Sequence, residues 1–388
     1  MTELPTNLSD GLGALWLGEE EAQALYEVIS SRSLFRHHGR GKSRNSDFES
    51  GLGSWLNTSV CTVSSGTAAL KAALVALGIT AGDSVLVSAL TFIASASAVA
   101  SLGAIPVPLD IDEFGGVDLQ FASAVATNAK ALILVYLPGH TSNTEAVNEF
   151  CQRRGIAMIE DASQALGVET IGGKAGTLGD VGVFSFQQGK QITSGEGGAV
   201  VSRSKQLINR ARVYSDHGCF RQSNQAPHWD HELAMVGENY RMTELQAAVL
   251  MIQLRKLPAI LQAQFQTCEK MLTALQKIGV NMLESHYPAG NSHSAIIVKL
   301  DNPQTVSRIL DIASSKSLPV RYVWKFSFPE LSPFNYLNIG HDFRRPVRAE
   351  QYGKTMLLVQ TPPLNSTVQD SYARAVAACF IQGLNNGS

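Results

Sequence analysis

Up to about residue 255, the apolar positions come in short, nearly unbroken runs separated by stretches of helical spacing. Residues 60–63, 84–88, 105–109, 131–136, 157–160, 181–186 and 198–202 predict seven strands. Runs of this length without polar alternation predict strands buried on both faces. Helical spacing predicts helices over residues 68–77, 92–102 and 144–154, and another over 18–34 that opens on Glu19, Glu20 and Glu21. Strands alternating with helices predict an α/β fold whose seven-stranded sheet is mostly parallel. The basic, glycine-bearing stretch over residues 34–42 predicts a loop.

A longer helical pattern runs from Thr243 to about residue 278. Thr243 takes a cap position and Gln246, three residues on, completes a capping box. Pro258 inside the pattern is expected to kink or split the helix. Beyond Gly279 the pattern changes, with strands predicted at 293–300, 318–323 and 355–361 and a closing helix at 366–384. The expected organisation is a large domain over residues 1–255 and a smaller C-terminal α+β domain over 256–388, joined by the long helix.

Composition narrows the class. Only 16% of the 388 residues are charged, against about a quarter in ordinary domains. Such a chain hides much of its surface, in a large core or an extensive subunit interface. The net charge of −2 offers no basic field for nucleic acid. Cys61, Cys151, Cys219, Cys268 and Cys379 show no paired spacing and predict reduced thiols, hence a cytoplasmic location. Residues 1–20 lack the basic start and apolar run of a signal peptide. Residues 88–109 carry no charge, but Thr91, Gly103, Pro106 and Pro108 predict strand, helix and strand there, and no membrane span.

Three places carry candidate chemistry. Lys190 follows a predicted strand in an apolar, neutral stretch and precedes Gly195, Gly197 and Gly198. Partial desolvation would lower its pKa, as a Schiff-base lysine requires; an ordinary surface-loop lysine also fits. Glu160 and Asp161 end another strand, where open α/β sheets bind ligands. Asp161 suits a partner for a pyridine nitrogen and Gln164 a partner for a ring hydroxyl; Asp161 as a simple helix cap also fits. Ser65, Gly66 and Thr67 open a predicted helix, a place that seats phosphate or needs only a cap. Together these residues point to pyridoxal 5′-phosphate (PLP) as cofactor.

The motifs Ser185-Phe186-Gln187-Gln188-Gly189-Lys190 with Gly195-Glu196-Gly197-Gly198, Glu160-Asp161-Ala162-Ser163-Gln164-Ala165 and Asn239-Tyr240-Arg241-Met242-Thr243-Glu244 resemble those of the DegT/DnrJ/StrS family of sugar aminotransferases, from residue 34 to about 250. The resemblance implies the fold type I architecture of PLP-dependent transferases. It implies that Phe92 stacks on the cofactor ring, that Ser185 contacts the phosphate, and that Asn239 reaches the phosphate of a neighbouring subunit. A homodimer with shared active sites follows. Lysine at position 190 favours transamination over the dehydration run by family members with histidine there. Residues 34–39 and the Phe186-Gln187-Gln188 stretch resemble aminocyclitol aminotransferases of antibiotic biosynthesis. The expected reaction moves an amino group from glutamine, glutamate or alanine to a keto-sugar or keto-cyclitol. The alternatives are a dehydrating or cyclising enzyme of the 3-amino-5-hydroxybenzoate synthase type and a non-catalytic PLP-binding relative.

Two regions depart from the family pattern: Tyr136-Leu137-Pro138-Gly139 with Asn143-Thr144-Glu145, and Val320 to Phe328. The resemblance places both at the substrate pocket. Other chemistries find little support. His228 and His231 lack a cysteine or carboxylate cluster to complete a metal set. The glycines at 176, 179 and 182 precede a strand, unlike a dinucleotide fingerprint, and no Walker-type loop occurs. His37, His38 and Arg40 suit a substrate pocket or a solvated basic loop equally.

Overall fold

The computed structural model describes residues 11–37, 43–219, 233–339 and 344–385. All seven predicted strands form one sheet: β1 (Ser59–Val63), β2 (Ser84–Ser88), β3 (Ile105–Leu109), β4 (Ala129–Val135), β5 (Ala157–Asp161), β6 (Val181–Ser185) and β7 (Gly198–Ser202). Their spatial order is β1-β7-β6-β5-β4-β2-β3. Only β7 runs against its neighbours; the pairings from β6 to β3 are parallel. Parallel strands need crossovers; helices supply those from β2 to β5, on both faces, whereas the β5 to β6 connection carries only the short paired strands Glu169–Thr170 and Gly173–Lys174.

Strand alternation divides the side chains between two cores. On β2, Leu86 enters one core while Val85 and Val87 enter the other. On β5, Met158 joins the first and Ile159 the second. The first core takes Phe48, Leu52 and Leu56 from α2 (Arg44–Leu56). The second takes Ala69, Leu70, Ala73 and Leu74 from α3 (Gly66–Ala76), and Ala96 and Val99 from α4 (Ala94–Ala100). A period of two therefore decides which way each residue at a strand end faces.

The remaining helices before the long one are α1 (Glu19–Ser31) ahead of α2, then α5 (Leu119–Val125), α6 (Thr144–Arg154) and α7 (Lys205–Tyr214). The long helix is α8, Glu244–Gln276, and its capping box is present: Thr243 Oγ1 accepts from Gln246 N at 3.2 Å and Gln246 Oε1 accepts from Thr243 N at 2.9 Å. Pro258 does not split it. Pro258 is exposed while Leu257 and Ile260 beside it are fully buried, so packing of the adjoining turns outweighs one lost hydrogen bond. Residues 255 and 256, the expected joint between domains, both lie within this helix.

Beyond it, β8 (Ala295–Lys299), β9 (Val320–Tyr322) and β10 (Met356–Gln360) form a separate antiparallel sheet in the order β8-β10-β9. Helices α9 (Pro303–Ser315), α10 (Val347–Thr355) and α11 (Ser366–Asn385) complete this part. It is anchored to the strand ends of the large sheet. Asp110 accepts from the N–H groups of Arg348 at 3.1 Å and Ala349 at 2.8 Å, and Ala89 O accepts from Phe328 N at 3.0 Å. No helix among the described residues is long and apolar enough to cross a membrane. The uncharged stretch 88–109 is the end of β2, then α4 and β3.

Candidate active site

The carboxyl ends of β1, β2, β5 and β6 lie along one edge of the sheet, with β7 between β1 and β6 and β4 between β5 and β2, and the candidate residues sit at them. Beyond β1, Ser65 caps α3, its hydroxyl accepting from Ala68 N at 3.1 Å. A Cβ on Gly66 would stand 2.8 Å from Ser185 Cβ and 3.2 Å from Ser185 Oγ. A Cβ on Gly198 would stand 2.3 Å from Ser65 O. The 2.8 and 2.3 Å distances are shorter than side chains tolerate, so these two glycines let the first turn of α3 close onto the end of β6 and the start of β7. The outcome is a helix N-terminus with a serine hydroxyl against it and Thr67 exposed beside it. Such a cradle donates N–H groups and a positive dipole end to an anion. Ser163 joins the group, its hydroxyl 3.5 Å from that same Cβ position on Gly66; no motif or spacing singles it out.

The acidic pair of β5 is divided by the alternation of the strand. Glu160 faces the core that holds Met158. It is fully buried and accepts from Tyr136 Oη at 2.6 Å, Gly176 N at 2.8 Å, Leu178 N at 2.6 Å and Gly179 N at 2.7 Å. Burial pushes its pKa up against these bonds. Tyr136 also meets Thr144 Oγ1 at 2.8 Å, and its own pKa is pushed well up, first by burial and then by Glu160. The glycine-rich stretch 176–182 therefore wraps a buried carboxylate, with Gly176 at φ +86°. The departing residues Tyr136 and Thr144 join this buried network through their hydroxyls. Asn143 likewise braces a loop, exchanging bonds with Val117 N at 3.0 Å and Val117 O at 2.8 Å.

Asp161 faces the other way. Its Oδ2 accepts from Ser95 Oγ at 2.7 Å and its Oδ1 from Ser163 N at 3.2 Å. Ser95 Oγ lies 2.9 Å from Thr91 Oγ1. Next to Thr91, the ring of Phe92 is 59% exposed, an apolar face open at the mouth of a buried polar pair. Gln164 is half-buried, and its carbonyl accepts from Gly139 N at 3.0 Å.

Lys190 lies in a tight loop between β6 and β7. Its N–H donates to Gln187 O at 2.9 Å, and its carbonyl accepts from Gly13 N at 2.7 Å. The short 3-10 turn Gly13–Trp16 thus braces the loop from outside. Desolvation lowers the amine's pKa to about 8, reinforced by the Arg321 charge from β9 and opposed by Asp161 and Glu196. An amine with that pKa holds a far larger neutral fraction near physiological pH than an ordinary lysine does, and that fraction is available as nucleophile or base. Arg321 is held by the carbonyls of Tyr322 at 3.1 Å and Val323 at 3.3 Å, which brings the second departing segment to the site.

Ser65, Gly66 and Ser185 are thus brought into contact, and Asp161 and Lys190 lie within electrostatic reach of each other. Asn239 stands apart. It is exposed, and among the described residues no hydrogen bond joins its side chain to Lys190, Asp161 or Ser185. Its neighbours hold it firmly: Glu238 binds Lys71 at 2.6 Å and Tyr214 at 2.8 Å, and Tyr240 O accepts from Ser64 N at 2.7 Å. His37 is tied to Asp216 at 3.3 Å. His38, Arg40, His228 and His231 lie outside the described residues.

The family model for the DegT/DnrJ/EryC1/StrS aminotransferase family matches residues 16–352. A GDP-perosamine synthase of Vibrio cholerae is 38% identical over 218 residues, 54% of this chain and 56% of the relative. An L-glutamine:2-deoxy-scyllo-inosose aminotransferase of Streptomyces kanamyceticus is 40% identical over 224 residues, 56% of this chain and 52% of the relative. The chain spans about half the length of these curated relatives. Among solved structures, the aminotransferase TlmJ from Streptoalloteichus hindustanus superposes with a TM-score of 0.83 at 26% identity, covering 95% of this chain and 97% of that one.

Proposed function

The chain belongs to the DegT/DnrJ/EryC1/StrS aminotransferase family, and from that premise we propose that it is a PLP-dependent enzyme that moves an amino group from an amino acid to a keto-sugar or keto-cyclitol. The observation that carries this reading is the Lys190 amine, with a pKa lowered to about 8 and within reach of the Asp161 charge. The site residues fit the cofactor. The Gly66 cradle has the donors a phosphate needs and the space only glycine leaves. Phe92 offers an exposed ring face, and Asp161 offers an aligned carboxylate.

When bound, PLP supplies an electron sink for the charge left at the donor α-carbon. The chain supplies the rest. Ser65, Gly66, Thr67 and Ser185 would hold the phosphate. Asp161 would offer its negative charge to the ring nitrogen, and Gln164 would bond the ring hydroxyl. Phe92 would cover a face of the ring. Lys190 would hold the cofactor through its amine and, once displaced by the donor, would carry a proton off the donor α-carbon. Asn239, exposed on a braced segment, serves the phosphate of a second copy in a homodimer with shared active sites.

The identity of relatives favours glutamine as donor: the S. kanamyceticus enzyme is named for it. A donor panel tests this. Glutamine, glutamate and alanine are each mixed with the PLP-loaded enzyme, and loss of the visible cofactor band is followed. Bleaching by glutamine in a single turnover, restored by a keto-cyclitol or keto-sugar nucleotide, is expected. Bleaching by none of the three overturns transamination.

A further inference from the structure

Ser95 uses its hydroxyl in an unusual way. A serine inside a helix ordinarily turns to solvent or bonds a carbonyl one turn back. Ser95 is fully buried in α4, and its hydroxyl reaches Asp161 on a strand 66 residues away, at 2.7 Å. One turn back it meets the Thr91 hydroxyl at 2.9 Å, in place of the Thr91 carbonyl. Thr91 is 4% exposed and Asp161 6%. Proton counting gives the row a direction. Each hydroxyl owns one proton. Ser95 spends its proton on Asp161, so the shorter of the two contacts of Thr91 Oγ1, 2.9 Å to Ser95 Oγ against 3.2 Å to Phe92 O, takes the Thr91 proton. Hydroxyls aligned head to tail polarise one another in a low-dielectric interior, and both deliver that polarisation to Oδ2. Ser163 N fixes Oδ1 from the other side at 3.2 Å.

Thr91 is also joined directly to Phe92, whose ring is exposed. The same hydroxyl pair therefore ties the segment carrying an aromatic face, beyond β2, to a carboxylate at the end of β5, two strands along the sheet. We infer that Thr91 and Ser95 are positioning residues, a two-hydroxyl relay that fixes the plane of the Asp161 carboxylate and its spacing from the Phe92 ring. The inference rests on the reading of Asp161 as the ring-nitrogen partner. The relay pre-orients that carboxylate, so that no reorganisation is needed when a pyridine ring enters.

The test is titration of the apoprotein with PLP, followed by visible absorption and by circular dichroism of the cofactor band. The variants are Ser95→Ala, Thr91→Val, both together, and Asp161→Asn. Thermal unfolding of each apoprotein checks the fold. Ser95→Ala should weaken PLP binding about tenfold, the scale of a lost hydrogen bond to a charged group, and should change the dichroism of the band. Thr91→Val should act in the same direction and less. In the Ser95→Ala background Thr91→Val should add nothing, because its path to Asp161 is already broken. Unchanged affinity and dichroism in Ser95→Ala overturn the relay, as does a full additional effect of Thr91→Val in the double variant. Asp161→Asn separates the two levels: if it weakens PLP binding while Ser95→Ala does not, the relay alone fails. If Asp161→Asn leaves binding intact, the ring-nitrogen reading falls and the relay with it.

Discussion

Glu160 and Asp161 are consecutive carboxylates at one strand end, yet they occupy opposite environments. Glu160 accepts four hydrogen bonds, three from backbone N–H groups of the 176–179 loop and one from Tyr136. Its oxygens are fully engaged with the fold. Asp161 accepts from one hydroxyl and one N–H, beside an exposed aromatic ring and a lysine with a depressed pKa. One carboxylate is spent on structure and the other is left with capacity for a partner. Burial alone does not separate them, since both are buried. What separates them is whether the surrounding donors leave a lone pair free.

The comparison predicts that variants on the two faces fail differently. The largest effect belongs to the open face. Lys190→Ala should cut turnover by at least about a thousandfold, within the range for loss of a positioned acid–base group, while thermal unfolding of the apoprotein changes little; a variant with near-normal steady-state turnover would break the assignment. Next is the pH dependence of PLP capture. Only the neutral amine is nucleophilic, and its pKa is lowered to about 8. The capture rate of the apoprotein should therefore rise with pH and level off above about 8. Stopped-flow absorbance that still climbs toward the ordinary lysine range near about 10.4 would deny the desolvated site.

The structural face should show the opposite signature. Glu160→Leu strands three buried N–H groups and the Tyr136 hydroxyl, and should cost more than about 3 kcal/mol of unfolding free energy in urea. A cost below about 1 kcal/mol would mean that water replaces the carboxylate. Tyr136→Phe removes one of those bonds and keeps the ring. About 1 kcal/mol is expected for it, with PLP affinity unchanged; a loss of affinity would return Tyr136 to the pocket.

Much of this was legible in the chain. Seven buried runs predict seven strands, because a strand covered on both faces needs apolar residues at every position. Lys190, Asp161 and Gly66 stand out because amine, carboxylate and glycine occur where runs end. That α8 runs unsplit through Pro258 was not legible, since the sequence records the broken hydrogen bond but not the packing of Leu257 and Ile260 that offsets it. The hydrogen bonds of Tyr136 to Glu160 and Thr144 were not legible, because position along the chain does not tell which face of the sheet a side chain meets. Ser95 was invisible: a serine in an alanine-rich helix carries no signal until the strand opposite it is known. The roles of Gly13 and Arg321 were hidden for the same reason, as each reaches the Lys190 loop from far away in sequence.

The central claim is that the Lys190 amine is the one that captures PLP. Borohydride reduction of the PLP-loaded protein, followed by proteolysis and mass spectrometry, reads this directly. A single phosphopyridoxyl adduct on the peptide carrying Lys190 is predicted. An adduct on another lysine, with the Lys190 peptide unmodified, would contradict the account.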